Sequence, residues 1–263
     1  MRQPDENIMR AYFRLAEARR QRLWMQRLWH PELFAWAKGE PPPVSQTKRI
    51  RLEELAKLGF GEDHYQRMLA LENGAKAELE ALAETHVLWP HFQRIKGMGK
   101  YLCGCFVAAG GDIERPGTVT AFWKGMGLDV LPEGLSTPDG KVVIPPGGVP
   151  RKLRNVRGIK RLVPCMPHVS LIGEQIRMQM FRADCKLRWW YDKFRAEVDA
   201  AKPDRRKIFN MRDALRRTQK LLYACLWRVW REAYGLPAPM PYAFDILKHD
   251  SGRLITIADF YDE

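Results

Sequence analysis

A chain of 263 residues, 46% hydrophobic and 29% charged, has the balance of a soluble globular protein, long enough to bury a core in one large domain or two small ones. Five scattered cysteines (103, 105, 165, 185 and 225) argue against a secreted disulfide framework. No apolar run reaches membrane length, and the start MRQPDENIMR lacks a signal-peptide core, so a cytoplasmic protein without a membrane partner is expected.

The net charge of +13 is unevenly spread. Residues 151–231 hold 22 basic and 7 acidic side chains, whereas residues 1–150 hold 20 and 18, and residues 232–263 hold 2 and 6. A positive field of that size attracts polyanions, so nucleic acid is the expected partner, with a nucleoid-associated location.

Residues 1–90 read as a basic N-terminal helical region. A heavily basic helix is expected over 7–29, carrying Arg10, Arg14, Arg19, Arg20, Arg22 and Arg27, with Trp24 and Trp29 among them. Pro41-Pro42-Pro43 separates it from a second predicted helix over 62–89. There Tyr65, Met68, Ala75, Leu79, Leu82, His86 and Trp89 share a face. Two helices joined by a proline-rich crossing suit an antiparallel, coiled hairpin. The apolar stripe of the second reads as core, with a dimerisation face of a homo-oligomer as the rival.

Residues 91–131 have the layout of a helix-hairpin-helix element. A short helix ends at Phe92–Ile95, Gly97-Met98-Gly99 makes the turn, and a second helix runs from Lys100 to Ala109. Ile95, Met98, Leu102, Phe106 and Val107 would pack the two together. Glycine tolerates positive φ and has no Cβ, so a phosphate can approach the backbone N–H groups at the helix mouth. Lys96 and Lys100 flank that mouth, so Lys96, Gly97, Gly99 and Lys100 form the expected phosphate grip. A plain packed turn is the alternative.

Residues 132–168 combine a Gly/Pro-rich loop, with a short strand expected at Lys141–Ile144, and a basic arm. The arm, RKLRNVRGIKR, offers Arg151, Lys152, Arg154, Arg157, Lys160 and Arg161 to a nucleic-acid backbone. Residues 169–263 hold two expected helices, 169–198 and 204–234, the second capped by Asp204, and an acidic tail that either packs or frays. On the last helix Ile208, Met211, Leu215, Thr218, Leu222 and Val229 form the expected buried stripe. Arg205, Arg212, Arg216 and Lys220 lie on another face as a phosphate rail, or as an ordinary solvated face. Trp189, Trp190, Tyr191, Phe194, Tyr223, Trp227 and Trp230 read mainly as core, with one or two free to stack on unpaired bases.

Chemistry beyond binding has fewer signals. Cys103 and Cys105 point to different sides of a helix, and Cys165-x-x-His168 lacks a second pair, so no metal site is expected. Asp112, Glu114, Asp129, Glu133 and Asp139 show no spacing that singles out a carboxylate-metal centre. Ser136, in the Gly/Pro loop between the hairpin element and the basic arm, is the candidate strand-transfer nucleophile; a turn serine beside Pro138-Asp139-Gly140 is the other reading.

The stretch FQRIKGMGKYLCGCFVAAGGDIERPGTVTAFWKGMGL (Phe92–Leu128), followed by RNVRGIKR and LWRVWREAYGLP (Leu226–Pro237), resembles the C-terminal transposase domain of the bridge-RNA-guided insertion-sequence recombinases. The likeness covers roughly residues 60–240. Members of that family carry an N-terminal resolvase-like domain with four acidic metal ligands, whereas this chain opens on basic helices, so autonomous transposition is not expected. The family's nucleophilic serine stands in a Ser-Gly context; Ser136 here precedes Thr137.

The expectation is therefore an all-α protein: a helical hairpin, a helix-hairpin-helix core and a C-terminal helical pair. It would bind DNA, with structured RNA as second candidate, through the glycine hairpin and basic helices. Two alternatives are a transposase subunit that uses Ser136 with carboxylates from a separate recombinase chain, and a structural protein that meets an acidic partner. No cofactor is expected of the chain itself, and Mg²⁺ would enter only with a catalytic partner domain.

Overall fold

Ile8, Ala11, Tyr12, Leu15 and Ala18 recur at three- and four-residue spacing, and that stripe is the buried face of the first helix, α1 (Gln3–Leu28). The computed structural model describes residues 3–28, 62–128, 130–131, 149–150, 167–182, 184–239 and 255–262. Helix α2 (Glu62–Glu84) runs antiparallel to α1, as the cross-links between them show: Asp5 meets His86, Arg14 meets Glu78, and Arg19 and Arg22 both meet Glu72. The helix stops at Glu84 rather than at 89, because His86 turns inward to meet Asp5 and Leu88 begins the next element.

A four-residue helix, α3 (Trp89–Phe92), leads through the glycine turn into α4 (Lys100–Gly110). All residues from Leu102 to Ala108 are buried, so α4 is the central rod around which the others pack. Gly104 allows this: a Cβ there would stand 2.8 Å from Leu79 Cγ on α2. Helix α5 (Val119–Gly125) starts at Thr118, whose Oγ1 accepts the Ala121 N–H at 3.2 Å. Beyond it Val130–Leu131 (β1) pairs antiparallel with Val149–Pro150 (β2). The strand expected at Lys141–Ile144 lies outside the described residues.

The C-terminal part departs from the expected pair of helices. The span 169–198 holds two of them, α6 (Pro167–Arg182) and α7 (Lys186–Ala201), and α8 (Lys207–Ala233) follows. Cys185 is extended (φ −157°, ψ 167°), and the first N–H of α7 is taken by Asp262 from the far end of the chain. Asp204 does not cap α8; Arg206 occupies that position and gives no side-chain hydrogen bond. Ile208, expected in the buried stripe, is 40% exposed, whereas Leu215, Thr218 and Leu222 are buried as expected. Trp227 and Trp230 fill the centre, and Phe106 contacts Phe92, Phe122, Tyr223 and Trp230.

A 3₁₀ turn, Ile257–Phe260, returns to this core through Ile257 and Phe260. The described fold is all-α apart from the short β1–β2 pairing. None of its helices is long and apolar enough to cross a membrane.

Candidate nucleic-acid interface

The glycine turn stands at the surface because its apolar residues point inward. Ile95 and Met98 are buried beneath it, while Gly97 and Gly99 are exposed. Gly97 has φ +87°, a left-handed conformation that favours glycine. Gly99 does not need its glycine for that reason: it is the extended N-cap of α4 (φ −78°, ψ 177°), with open space beside it and no side-chain cap on the helix. The close approach that the sequence suggested is sterically open at Gly99.

The flanking cations are already engaged. Lys100 Nζ donates to Glu84 Oε2 at 2.6 Å, and Lys96 Nζ donates to the Asp184 carbonyl at 3.2 Å. An anion also sits at the turn, and it is the chain's own. Asp262 accepts the Lys96 N–H through Oδ2 and the Lys186 N–H through Oδ1, both at 2.7 Å, while its own N–H donates to the Arg94 carbonyl at 2.8 Å. Nearby, the Arg94 guanidinium lies 3.9 Å from the centre of the Tyr261 ring. The acidic tail therefore packs, at least over residues 255–262.

Five of the N-terminal arginines are neutralised in the same manner. Arg10 and Arg20 pair with Glu6 and Glu17 on their own helix, and Arg14, Arg19 and Arg22 pair across to α2. Burial pushes the Glu72 carboxyl up, but hydrogen bonds from Arg22 and Arg19 outweigh that and hold it below its ordinary value. Arg19 reaches further, donating to the Tyr101 hydroxyl at 3.0 Å.

The strongest concentration of positive charge among the described residues is the corner between α7 and α8. Lys202, Arg205, Arg206, Lys207, Arg212, Arg216 and Arg217 stand there with four carboxylates, Asp204, Asp213, Glu197, which lies 4.0 Å from Arg217, and Asp199, which accepts from Asn210 at 2.8 Å. Asp213 is 8% exposed and gathers four of them: Arg216 at 2.7 Å, Arg205 at 3.4 Å, Lys202 at 3.9 Å and Arg217 at 4.0 Å. The seven cations outnumber the four carboxylates, so the cluster stays positive. Burial pushes Asp213 up, yet Arg216, Arg217 and Lys202 together hold it below the ordinary carboxylate value. Ile208 and Phe209 project beside it, with Arg205 and Arg206 over the Phe209 ring at 5.6 and 5.8 Å.

The four-cation rail read from spacing is thus differently built. Arg205 and Arg216 converge on Asp213, Lys220 lies 4.9 Å from the Trp123 ring centre, and Arg212 is exposed. Sequence reasoning missed Lys202, Arg206, Lys207 and Arg217, and missed Asp213 as their organiser. The i,i+3 and i,i+4 spacing of Asp213 to Arg216 and Arg217 was the available signal.

Ser136 and the arm residues Arg151, Lys152, Arg154, Arg157, Lys160 and Arg161 lie outside the described residues, as do Asp129, Glu133 and Asp139. Among the described residues no group of three or more His, Cys, Asp or Glu side chains is placed to hold a metal ion. Asp112 faces Arg115 at 3.3 Å and accepts the Glu114 N–H at 3.2 Å, the pattern of a loop carboxylate. Cys103, Cys105, Cys185 and Cys225 are buried and free, and burial pushes the Cys105 and Cys225 thiols up to about 12, which leaves them protonated at neutral pH. A cluster of Asp5, His86 and Tyr234 has the residue types of an acid–base site, but Asp5 and His86 are fully enclosed. No family model, curated protein or solved structure matched this chain.

Proposed function

We propose that the chain binds nucleic acid, DNA in the first instance, by gripping the phosphate backbone, and that it is built like the C-terminal region of the bridge-RNA-guided insertion-sequence recombinases. The observation that carries the binding is the α7–α8 corner, where seven cations outnumber four carboxylates. Cations packed at that density repel one another, and a polyanion relieves the repulsion while releasing its own counterions. The open N-terminus of α4 at Gly99 is a second phosphate seat.

The two segments that carry the resemblance to the recombinases pack against each other. Trp227 Nε1 donates to the Pro116 carbonyl at 3.2 Å, and Arg231 Nη1 donates to the Ile113 carbonyl at 2.7 Å. Gly110 leaves room for Trp230, since a Cβ there would stand 2.7 Å from its ring. The segment 92–128 and the segment 226–237 thus complete each other. A nucleoid-associated location follows from the binding, and no catalytic step is assigned.

Fluorescence anisotropy with a labelled duplex across a salt series tests the reading. Affinity should fall steeply as salt rises, with a log–log slope of about −0.9 per phosphate neutralised. The triple variant Arg206→Ala, Lys207→Ala, Arg212→Ala should flatten that slope by about 3. Binding that is indifferent to salt, or a slope the triple variant leaves unchanged, would overturn the assignment to this corner.

A further inference from the structure

The outer face of α7 carries a constellation that phosphate binding does not explain. Lys186, Trp189 and Lys193 stand at i, i+3 and i+7 and are all exposed, so they form one line along the helix. Trp189 is 54% exposed, on a helix whose Leu187, Trp190, Tyr191 and Val198 are buried. Its ring is held edge-on to Trp190, 4.9 Å between centres at 81°. Trp190 is itself fixed, because its Nε1 donates to the Asp259 carbonyl at 3.2 Å. Lys193 Nζ lies 5.6 Å from the Trp189 ring centre and 5.1 Å from that of Trp190. At the start of the helix Lys96 reaches the Asp184 carbonyl and extends the line of cations back to the glycine turn.

Three carboxylates are close enough to matter. Asp192 is taken by Arg188 at 2.8 Å, Asp262 is held by two main-chain N–H groups, and Asp184 is exposed beside Lys96. Neither Lys186 nor Lys193 forms an ion pair with any described carboxylate, in contrast to the paired arginines of α1 and α2. A large open π-surface between two such lysines is poorly suited to an apolar protein partner, which would have to strip water from both. It suits a ligand that alternates anionic links with flat π-faces.

We propose that this face binds an unpaired stretch of nucleic acid, with a base stacked on Trp189 and the adjoining phosphates against Lys186 and Lys193. The proposal rests on the nucleic-acid reading above and narrows it. A continuous duplex keeps its bases stacked inside, so Trp189 selects strand ends, displaced strands or loops.

The test uses the full chain and two labelled twelve-residue probes, oligo-dT and an abasic strand with the same backbone. Trp189→Ala should weaken oligo-dT binding about tenfold. The same substitution should leave the abasic strand unaffected, and Trp189→Phe should retain most of the oligo-dT affinity. The thermal midpoint of Trp189→Ala should fall by only a few degrees, since the half-exposed ring loses little beyond its edge contact with Trp190. Unchanged oligo-dT affinity in Trp189→Ala, or equal weakening for both probes, would overturn the stacking site. If the parent still bound duplex and abasic strands with a steep salt slope, the phosphate reading would survive that loss. A parent that bound none of the probes would overturn both. Sedimentation showing a dimer that Trp189→Ala dissociates, with oligo-dT binding intact, would assign the face to a second copy and overturn the proposal.

Discussion

Asp5 is a buried carboxylate at the start of α1, held by two residues distant in the chain. Its Oδ1 takes a hydrogen bond from the Tyr234 hydroxyl at 2.6 Å and lies 2.9 Å from His86 Nε2, while Oδ2 has no partner. His86 Nδ1 accepts the Leu88 N–H at 3.2 Å, so the ring proton sits on Nε2 and points at Asp5. Three parts of the fold meet here: the first turn of α1, the exit of α2 and the residue that follows α8. Removing the imidazole would leave the carboxylate enclosed with one donor fewer. His86→Ala should therefore cost about 3–5 kcal/mol, read as a lowered urea midpoint, and Tyr234→Phe about 1–3 kcal/mol. A loss under roughly 1 kcal/mol for His86→Ala would mean that water replaces the ring and that the cluster does not staple the three elements.

At the scale of elements the glycines separate two kinds of contact. Gly104→Ala would drive a methyl group into Leu79 Cγ at 2.8 Å and to 3.3 Å from the Leu79 carbonyl, forcing α4 away from α2. The expected loss is about 1–3 kcal/mol in chemical denaturation. Gly99→Ala meets nothing within 4 Å and should cost no more than about 1 kcal/mol as a poorer N-cap, so a fall in DNA affinity of the folded variant would report the approach of a phosphate to α4. A stable Gly104→Ala would show that α2 and α4 yield, and that the glycine is not what sets their distance.

The same contrast shows which parts of the fold the sequence carried. Helices with a steady apolar period, α2 and α8, were legible because burial on one face imposes that period directly, whereas α1 reads from the sequence as a basic helix without its buried stripe. Gly97 and Gly99 drew attention as a pair, whereas Gly104 hides inside an apolar helix and is explained only by a neighbour 25 positions earlier in the chain. The break between α6 and α7 was illegible for a related reason. No glycine or proline marks it, and the donor that opens α7 is satisfied by Asp262 from the last turn of chain. The cationic face was half legible: the charge density was plain, but the pairing of Arg205 and Arg216 with Asp213 made a cluster out of an expected line.

Across the whole molecule, the carboxylates that hold the fold together are also the ones that restrain its field. Glu72 ties two arginines of α1 to α2, and Asp213 ties four cations at the α7–α8 corner, within a chain of net charge +13. Both carboxyls are held below their ordinary values, so each contributes stability that is fully present above the unfolded value of about 4 and is lost as pH falls through the lower folded value. Acid removes the two ties just as the net positive charge climbs, and unfolding on that side should be steep. Asp213→Asn isolates one tie. At neutral pH it should be less stable by about 1–3 kcal/mol, and its stability should fall less between pH 5 and 3 because one titrating group is gone. Yet the same variant should bind duplex DNA more tightly, since Lys202, Arg205 and Arg216 are no longer shared with Asp213 and Arg217 keeps only Glu197. Stability and affinity moving in opposite directions is the signature expected if Asp213 organises a phosphate-binding surface; a parallel loss of both would mean that its role is confined to holding α7 against α8.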